Sequence, residues 1–472
     1  MRSLKAVLLC LLLLIGGIGV AIAAPPPPVA SPASSSPFAR DFPPGLQIPE
    51  AARPRPGFNA DKATEAYLGL LSPEQRRLSD DYFEGKEWLE LWGFLYGLAT
   101  GAFVLLSGLS VRMRDFARRL SPRPWLYTWI YAVLWLLVGS VLGFPLSYYT
   151  DFVREHQYGL STLTFEGWIV ESLKGLAVGL VVVPPILVLL YAAIRRLGAS
   201  WWIWASVGGF FLALFLVMLS PVYLDPVFNS YRPLPEGPVR NAVLSLARAN
   251  RIPADNVVWF DASKQTTRVS ANVSGFLNTT AVRLNDNLVN KTSLPEIQAV
   301  LGHEMGHYVL NHSLRLTVYS ALLIALGLFF VHRALDGALA RWGERLRLEG
   351  RDDPAALPLA LIVFMVFNFV MTPLSNSMVR QAEAEADAFG LNAAREPNGF
   401  AMSAMRLSTY RKLRPGPLEE IVFYDHPSGY TRVHNAMLWL AENQDNPTAN
   451  APVAPPMAPL PFPKDTAAAP AH

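Results

Sequence analysis

The chain has 472 residues, of which 51% are hydrophobic, 11% aromatic and only 16% charged; soluble domains run to about 25% charged, so this is the composition of a membrane protein. With 40 Lys and Arg against 37 Asp and Glu the net charge is +3, which offers no basic field to a polyanion and excludes nucleic acid as a partner. The single cysteine, Cys10, lies in the N-terminal apolar run, which rules out an intrachain disulfide and leaves any metal site to nitrogen and oxygen ligands.

Arg2 and Lys5 precede an apolar stretch over 6–20 and an Ala21-Ile22-Ala23 tripeptide, so residues 1–24 read either as a secretory signal or as a first transmembrane helix. Residues 25–56 hold eleven prolines and 451–472 hold seven. Too little apolar surface remains there to offset the entropy of ordering the chain, and 25–56 and 444–472 are expected to be a disordered linker and tail. Apolar stretches of spanning length follow at 88–109, 125–149, 174–194, 201–223, 316–334 and 357–374, six helices, or seven with the N-terminus. Pro145, Pro184 and Pro185 fall inside spans and should kink or interrupt them. The expected organisation is a membrane domain with four spans over 57–223, a catalytic segment over 224–315, two further spans over 316–375 and a helical segment over 376–443. Within 224–315 the pattern predicts a helix over 238–250, short strands at 257–260, 269–276 and 281–284, and a helix from about Leu294. The fold class expected is an all-α polytopic membrane protein with a small α+β cap.

In that last helix stands His303-Glu304-Met305-Gly306-His307. At ~100° per residue the two histidines lie ~40° apart on one face, so two imidazoles can reach one cation with Glu304 beside them. This is the HExxH signature of zinc proteases, in which a third protein ligand completes the metal site, the fourth position stays open to water, and the glutamate takes the water's proton. With eight histidines in the chain, a random shuffle would show HExxH about once in two hundred sequences. The motif therefore needs its third ligand.

Candidates lie in Arg380-Gln381-Ala382-Glu383-Ala384-Glu385-Ala386-Asp387, a good helix former. Glu383 and Asp387 share a face, and Glu385 is ~200° from Glu383, so only one glutamate can face the metal. Geometry favours Glu383, because its face also brings Asp387 as an acceptor for a ligand imidazole N–H. His312, five residues after His307, is turned ~140° away on a continuous helix and reads as structural. His307 precedes the span at Leu316 by nine residues and Glu383 follows Leu374 by nine, so continuous helices would place both ligands ~13 Å from the membrane boundary.

These motifs, together with Phe152-Val153-x-Glu155 and Gly159, Pro226-x-Phe228 before Pro233-Leu234-Pro235-Glu236-Gly237, and His426-Pro427 with Arg432, resemble the integral-membrane zinc metalloendopeptidases of the type I CAAX prenyl protease kind. The resemblance implies seven transmembrane helices around a water-filled chamber, one Zn2+ per chain held by His303, His307 and Glu383, and cleavage of prenylated or membrane-associated proteins. It also places His426 and Arg432 near the zinc, opposite the HExxH helix, as donors to the developing oxyanion. An extended peptide or membrane-protein substrate is expected to lie along the 269–276 strand by strand addition, beside Ser270 and Asn272. The secretory-like start and Pro-rich tails look bacterial, which points to membrane-protein quality control in an inner membrane. The rival reading is a non-hydrolytic membrane scaffold or transport-like chamber in which zinc only braces the cap. Arg112, Arg114, Arg118, Arg119 and Arg123 against Asp115 alone put the 110–124 loop in the cytoplasm and, by alternation, the catalytic face outside.

Overall fold

The structure, a computed structural model, describes residues 42–43, 45–253, 256–274 and 280–444; the expectations for residues 1–24 and for the tail from 445 lie outside the described residues. In chain order the helices are α1 (Ala60–Leu68), α2 (Pro73–Leu106), α3 (Leu109–Leu120), α4 (Pro124–Ser147), α5 (Phe165–Leu197), α6 (Trp201–Leu219), α7 (Pro238–Ala249), α8 (Leu294–Val309), α9 (His312–Leu346), α10 (Leu357–Ala394), α11 (Pro397–Leu407), α12 (Pro417–Phe423) and α13 (Gly429–Glu442). Five helical runs among the described residues are long and apolar enough to cross a membrane. The longest, Phe165–Phe228, has 64 residues, ~96 Å if straight against a hydrocarbon core of ~30 Å. Gly198 breaks it with a φ of 56°, and α5 and α6 pack against each other. Pro145 is followed within a turn by a π-helical stretch at Tyr148–Val153, whereas Pro184 and Pro185 are accommodated inside α5 without ending it. Side chains such as Val141, Val181, Leu189 and Phe211, each more than 60% exposed, form a surface that only lipid would cover.

The cap grows from strands β1 (Tyr231–Pro233), β2 (Asn256–Phe260), β3 (Ala271–Ser274) and β4 (Ala281–Asn285), in the order β1-β2-β4-β3. β2 and β4 run parallel, and the two outer pairs are antiparallel. Alternate residues Val257, Trp259, Val282 and Leu284 face inward onto Val243 of α7 and Ile297, Leu301 and Met305 of α8, the period-2 pattern of a half-buried sheet. The sequence pattern predicts strands where β2, β3 and β4 lie; β1, three residues long and closed by a proline, carries too few to register as a period.

A second core joins α1 to α11 and α13, and residues before α1 enter it. Here the structure departs from the linker expectation for 25–56: Leu46, Ile48 and Ala52 pack on this core, as does Phe58 just after it. Arg406 supplies the reason. Its guanidinium donates to the carbonyls of Phe42, Pro43 and Gly45 and to Glu296 Oε1 at 2.5 Å, so carbonyls that a proline-rich segment cannot pair internally are satisfied by one buried side chain. Glu296 is itself fully buried and closes the capping box that starts α8. Arg406→Met should therefore strand a buried carboxylate and cost about 3–5 kcal/mol, with part recovered in Arg406→Met/Glu296→Gln. Thermal unfolding of the purified variants checks this; equal melting of Arg406→Met and wild type would refute it.

At the other end of the membrane helices the arginine-rich loops meet. Arg114 binds Asp353 at 2.6 Å and the Arg347 carbonyl, Arg118 binds Glu349 at 2.8 Å, and Arg195 reaches the Asp352 carbonyl. From Leu357 at that end, unbroken α10 carries the chain 26 residues, ~39 Å, to Glu383.

Candidate metal centre

With the phase of α8 set by its Ser293–Glu296 capping box, His303 and His307 project from one face with their Nε2 atoms 3.1 Å apart. α10 crosses α8 closely because both are bare where they touch. A Cβ on Gly390 would stand 2.7 Å from the His303 nitrogen, and one on Gly306 3.1 Å from Ala386 Cα. This approach delivers the Glu383 carboxylate, Oε2 to 3.2 Å from His303 Nε2 and Oε1 to 3.4 Å from His307 Nε2.

The three ligand atoms lie within 4.8 Å of one another, the one such group of His, Cys, Asp and Glu found among the described residues. Donors on a tetrahedron of ~2.0–2.1 Å bonds are separated by about 3.3 Å, so the observed separations fit a small cation. The chemistry agrees. Both imidazoles are engaged through Nδ1 and turn Nε2 inward, and Glu383 Oε2 is buried without a hydrogen bond.

His303 Nδ1 meets Asp387 Oδ1 at 2.7 Å, and Asp387 is clamped by Arg432 through Nε at 2.9 Å and Nη2 at 2.5 Å. Asp387 thus stands where its helical phase puts it. Arg432 also lines the cavity, but its Nε and Nη2 are committed to a carboxylate. Glu385 points the other way, to Arg315 at 2.8 Å and His312 Nε2 at 3.2 Å. The expectation for His312 fails: it is buried with Nδ1 3.0 Å from His307 Nδ1. The 140° rotation assumed one helix, whereas α8 stops at Val309 and Asn311, at φ 53°, turns the chain before α9.

Glu304 looks into a partly open space of about 240 Å³ with His303, His426, Arg432 and Ser270. Burial pushes its carboxyl above the ordinary carboxylate range, while the neighbouring histidines oppose the shift. His426 Nε2 is 3.2 Å from Glu383 Oε2 and its Nδ1 is 2.8 Å from Asp425; burial holds the imidazole below its ordinary value against the pull of Asp425. An adjoining space of about 380 Å³ is walled by Tyr82, Phe83, Lys86, Arg268 and Arg411. Sequence reasoning missed Asp425, although it adjoins His426, and missed Tyr82 and Arg268, which no spacing rule connects. Arg268 is held by Glu155 at 2.7 Å and by the Tyr82 hydroxyl at 2.8 Å, which gives a physical use to the Glu155 of the Phe152-Val153-x-Glu155 motif.

β3 ends the sheet, so one of its edges is unpaired by other strands. Ser270 lines both spaces, but its N–H donates to Asn285 Oδ1 and its carbonyl accepts from the Asn285 N–H. Asn272 lines neither, and its Oδ1 accepts from the Ser274 hydroxyl at 2.8 Å. Of the two, the structure brings only Ser270 to the cavity.

Comparison with known proteins agrees with this geometry. Residues 59–230 match the family described as CAAX prenyl protease N-terminal, five membrane helices, and residues 233–439 match peptidase family M48. The metalloprotease YhfN of Bacillus subtilis is 29% identical over 82% of this chain and 90% of its own length. CAAX prenyl protease 1 of Saccharomyces cerevisiae is 27% identical over 66% of this chain and 71% of its own. The crystal structure of Ste24p from S. mikatae, at 23% identity, has the same fold with a TM-score of 0.66 over 78% of this chain and 89% of that one. The two matched regions together run from the first membrane helix through the metal centre to α13, and this chain belongs to peptidase family M48 as a membrane metalloprotease.

Proposed function

We propose that the chain is a zinc endopeptidase that hydrolyses peptide bonds of membrane-associated or lipid-linked protein substrates. The convergence of His303 Nε2, His307 Nε2 and Glu383 beside Glu304 at a cavity carries this reading. Bound by these three side chains, zinc supplies a Lewis acid and acidifies water. Glu304 takes the proton of the attacking water and returns it to the leaving amine, a task that suits a carboxylate whose proton affinity is raised by burial. His426, oriented by Asp425, presents Nε2 toward the metal side of the cavity as a donor to the carbonyl oxygen as charge builds. Arg432 acts on His303 through Asp387; because that pair is buried, Arg432→Ala should lose stability as well as activity. The chain between Val269 and Ala271 forms the wall along which a peptide would extend.

The scaffold alternative requires a closed site, normally four protein ligands, whereas three converge here among the described residues, with a carboxylate beside them. Glu383 stands nine residues past Leu374 on one unbroken helix, ~13 Å from the apolar stretch, which favours substrates held at the bilayer. The relatives' name, CAAX prenyl protease, makes a prenylated tail one member of that class. The reading is tested with purified protein in lipid nanodiscs and a quenched, membrane-anchored peptide. Cleavage that a zinc chelator stops and zinc restores supports it; cleavage indifferent to the chelator overturns it.

Charge supports an extracytoplasmic catalytic end: Arg114 and Arg118 of α3, Arg195 at the end of α5 and the segment after α9 collect at the opposite end, which the positive-inside rule assigns to the cytoplasm. Residues 45–58 pack on the catalytic side, as a segment following a secretory start would. With Cys10 replaced, a cysteine at Glu236 should react in intact cells with a reagent that cannot cross the membrane, and one at Gly337 should not. The reverse pattern would place the site in the cytoplasm.

A further inference from the structure

The two histidines that face the metal are backed by different chains of side chains. His303 leans on Asp387, which leans on Arg432. Among the described residues His307 has no carboxylate within reach of its Nδ1; it meets His312 Nδ1 at 3.0 Å, His312 Nε2 meets Glu385 Oε2 at 3.2 Å, and Arg315 holds Glu385 at 2.8 Å. Both chains end on an acid–arginine pair, and His312 spans the extra distance on the second. We propose that His312 is a positioning residue for the metal, fixing the ring and the proton of His307, with Glu385 fixing His312 in turn.

The directions follow from hydrogen-bond inventory. A His307 that offers the Nε2 lone pair to a cation carries its proton on Nδ1. That proton needs an acceptor, so His312 Nδ1 is bare and its own proton sits on Nε2, where Glu385 accepts it. Each contact leaves the next one tautomer. The break at Asn311 makes this possible, because it lets the first residue of α9 turn back on α8. His312 is 1% exposed and packs edge-on to the His307 ring at 5.0 Å between centroids, so the ring is held against rotation too. The relay joins α8, α9 and α10 at one point, and it assigns Glu385 a use despite its facing away from the metal.

The inference rests on the zinc-site reading, and the experiment separates the two. Zinc affinity of the purified full-length protein is measured by competition with a chromogenic chelator, and the melting temperature of the metal-free protein is measured beside it. Wild type that binds no zinc refutes the site itself. Given wild-type binding, His312→Phe, which keeps a ring and removes the acceptor, should weaken zinc about 10- to 100-fold. His312→Asn, whose Oδ1 can replace Nδ1 as acceptor, should recover most of that loss, and Glu385→Ala should weaken zinc by a few-fold. Should His312→Phe fail to fold, Glu385→Ala and His312→Asn decide. Affinity in His312→Phe within twofold of wild type, equal loss in the Phe and Asn variants, or no change in Glu385→Ala overturns the proposal.

Discussion

Glu304→Gln is expected to purify with about one zinc per chain and to lose between 10²- and 10⁴-fold in kcat, the range typical of removing a general base. Glutamine keeps the volume and the outer oxygen of the side chain but cannot take a proton. None of the three convergent ligand atoms belongs to residue 304, so metal content should not move. Other losses look different. His426→Ala should keep zinc and lower kcat by about 10²-fold, because Glu304 remains to activate water while the oxyanion loses a donor. Quantifying membrane proteins in cells carrying wild type or Glu304→Gln turns the same variant into a substrate search, since uncut substrates accumulate only where the base is missing. Wild-type turnover in purified Glu304→Gln would remove it from the mechanism.

Glu383→Ala should come off the column without zinc, and Glu385→Ala with it. The separation is sharp because the two carboxylates face opposite sides of α10: one lies 3.2 and 3.4 Å from the ligand imidazoles, and the other binds Arg315 and His312. Loss of Glu383 leaves two histidines and an open cavity, too few donors for a protein zinc site. Loss of Glu385 weakens the backing of His307 without removing a donor, which loosens binding a few-fold but leaves the stoichiometry at one when zinc is in excess. Metal analysis of the two proteins checks this, and full zinc in Glu383→Ala with loss in Glu385→Ala would reverse the ligand choice.

Helical phase made most of the centre legible in advance. It put His303 over His307, chose Glu383 over Glu385 and brought Asp387 alongside, and all of these lie within unbroken helices where 100° per residue holds. His312 was misplaced because phase stops at a break, and Asn311 carries no marker in the sequence beyond asparagine's tolerance of a left-handed backbone. Arg432 was read as facing the reaction, yet its partner Asp387 is 45 positions away, and no local pattern announces such a pair. Residues 45–56 depart from the linker expectation for a similar reason. Composition counts apolar side chains, but it does not count backbone carbonyls that a distant arginine can gather.

The second core and the metal centre are assembled from parts that the ribosome delivers far apart in time. Thr64 and His434, 3.3 Å apart in the folded chain, are separated by 370 residues, roughly 20–70 s of synthesis at 5–20 residues per second. His303 precedes Glu383 by 80 residues, with α9 and the apolar half of α10 to be inserted between them, and the arginine that steadies Asp387 arrives later still. Until the last membrane helix is in place the HExxH helix has neither Glu383 nor the Asp387 partner of His303, and until α13 has emerged Asp387 lacks its arginine. A nascent chain is therefore not yet a protease, and the order of translation keeps hydrolysis off until the molecule is seated in its membrane.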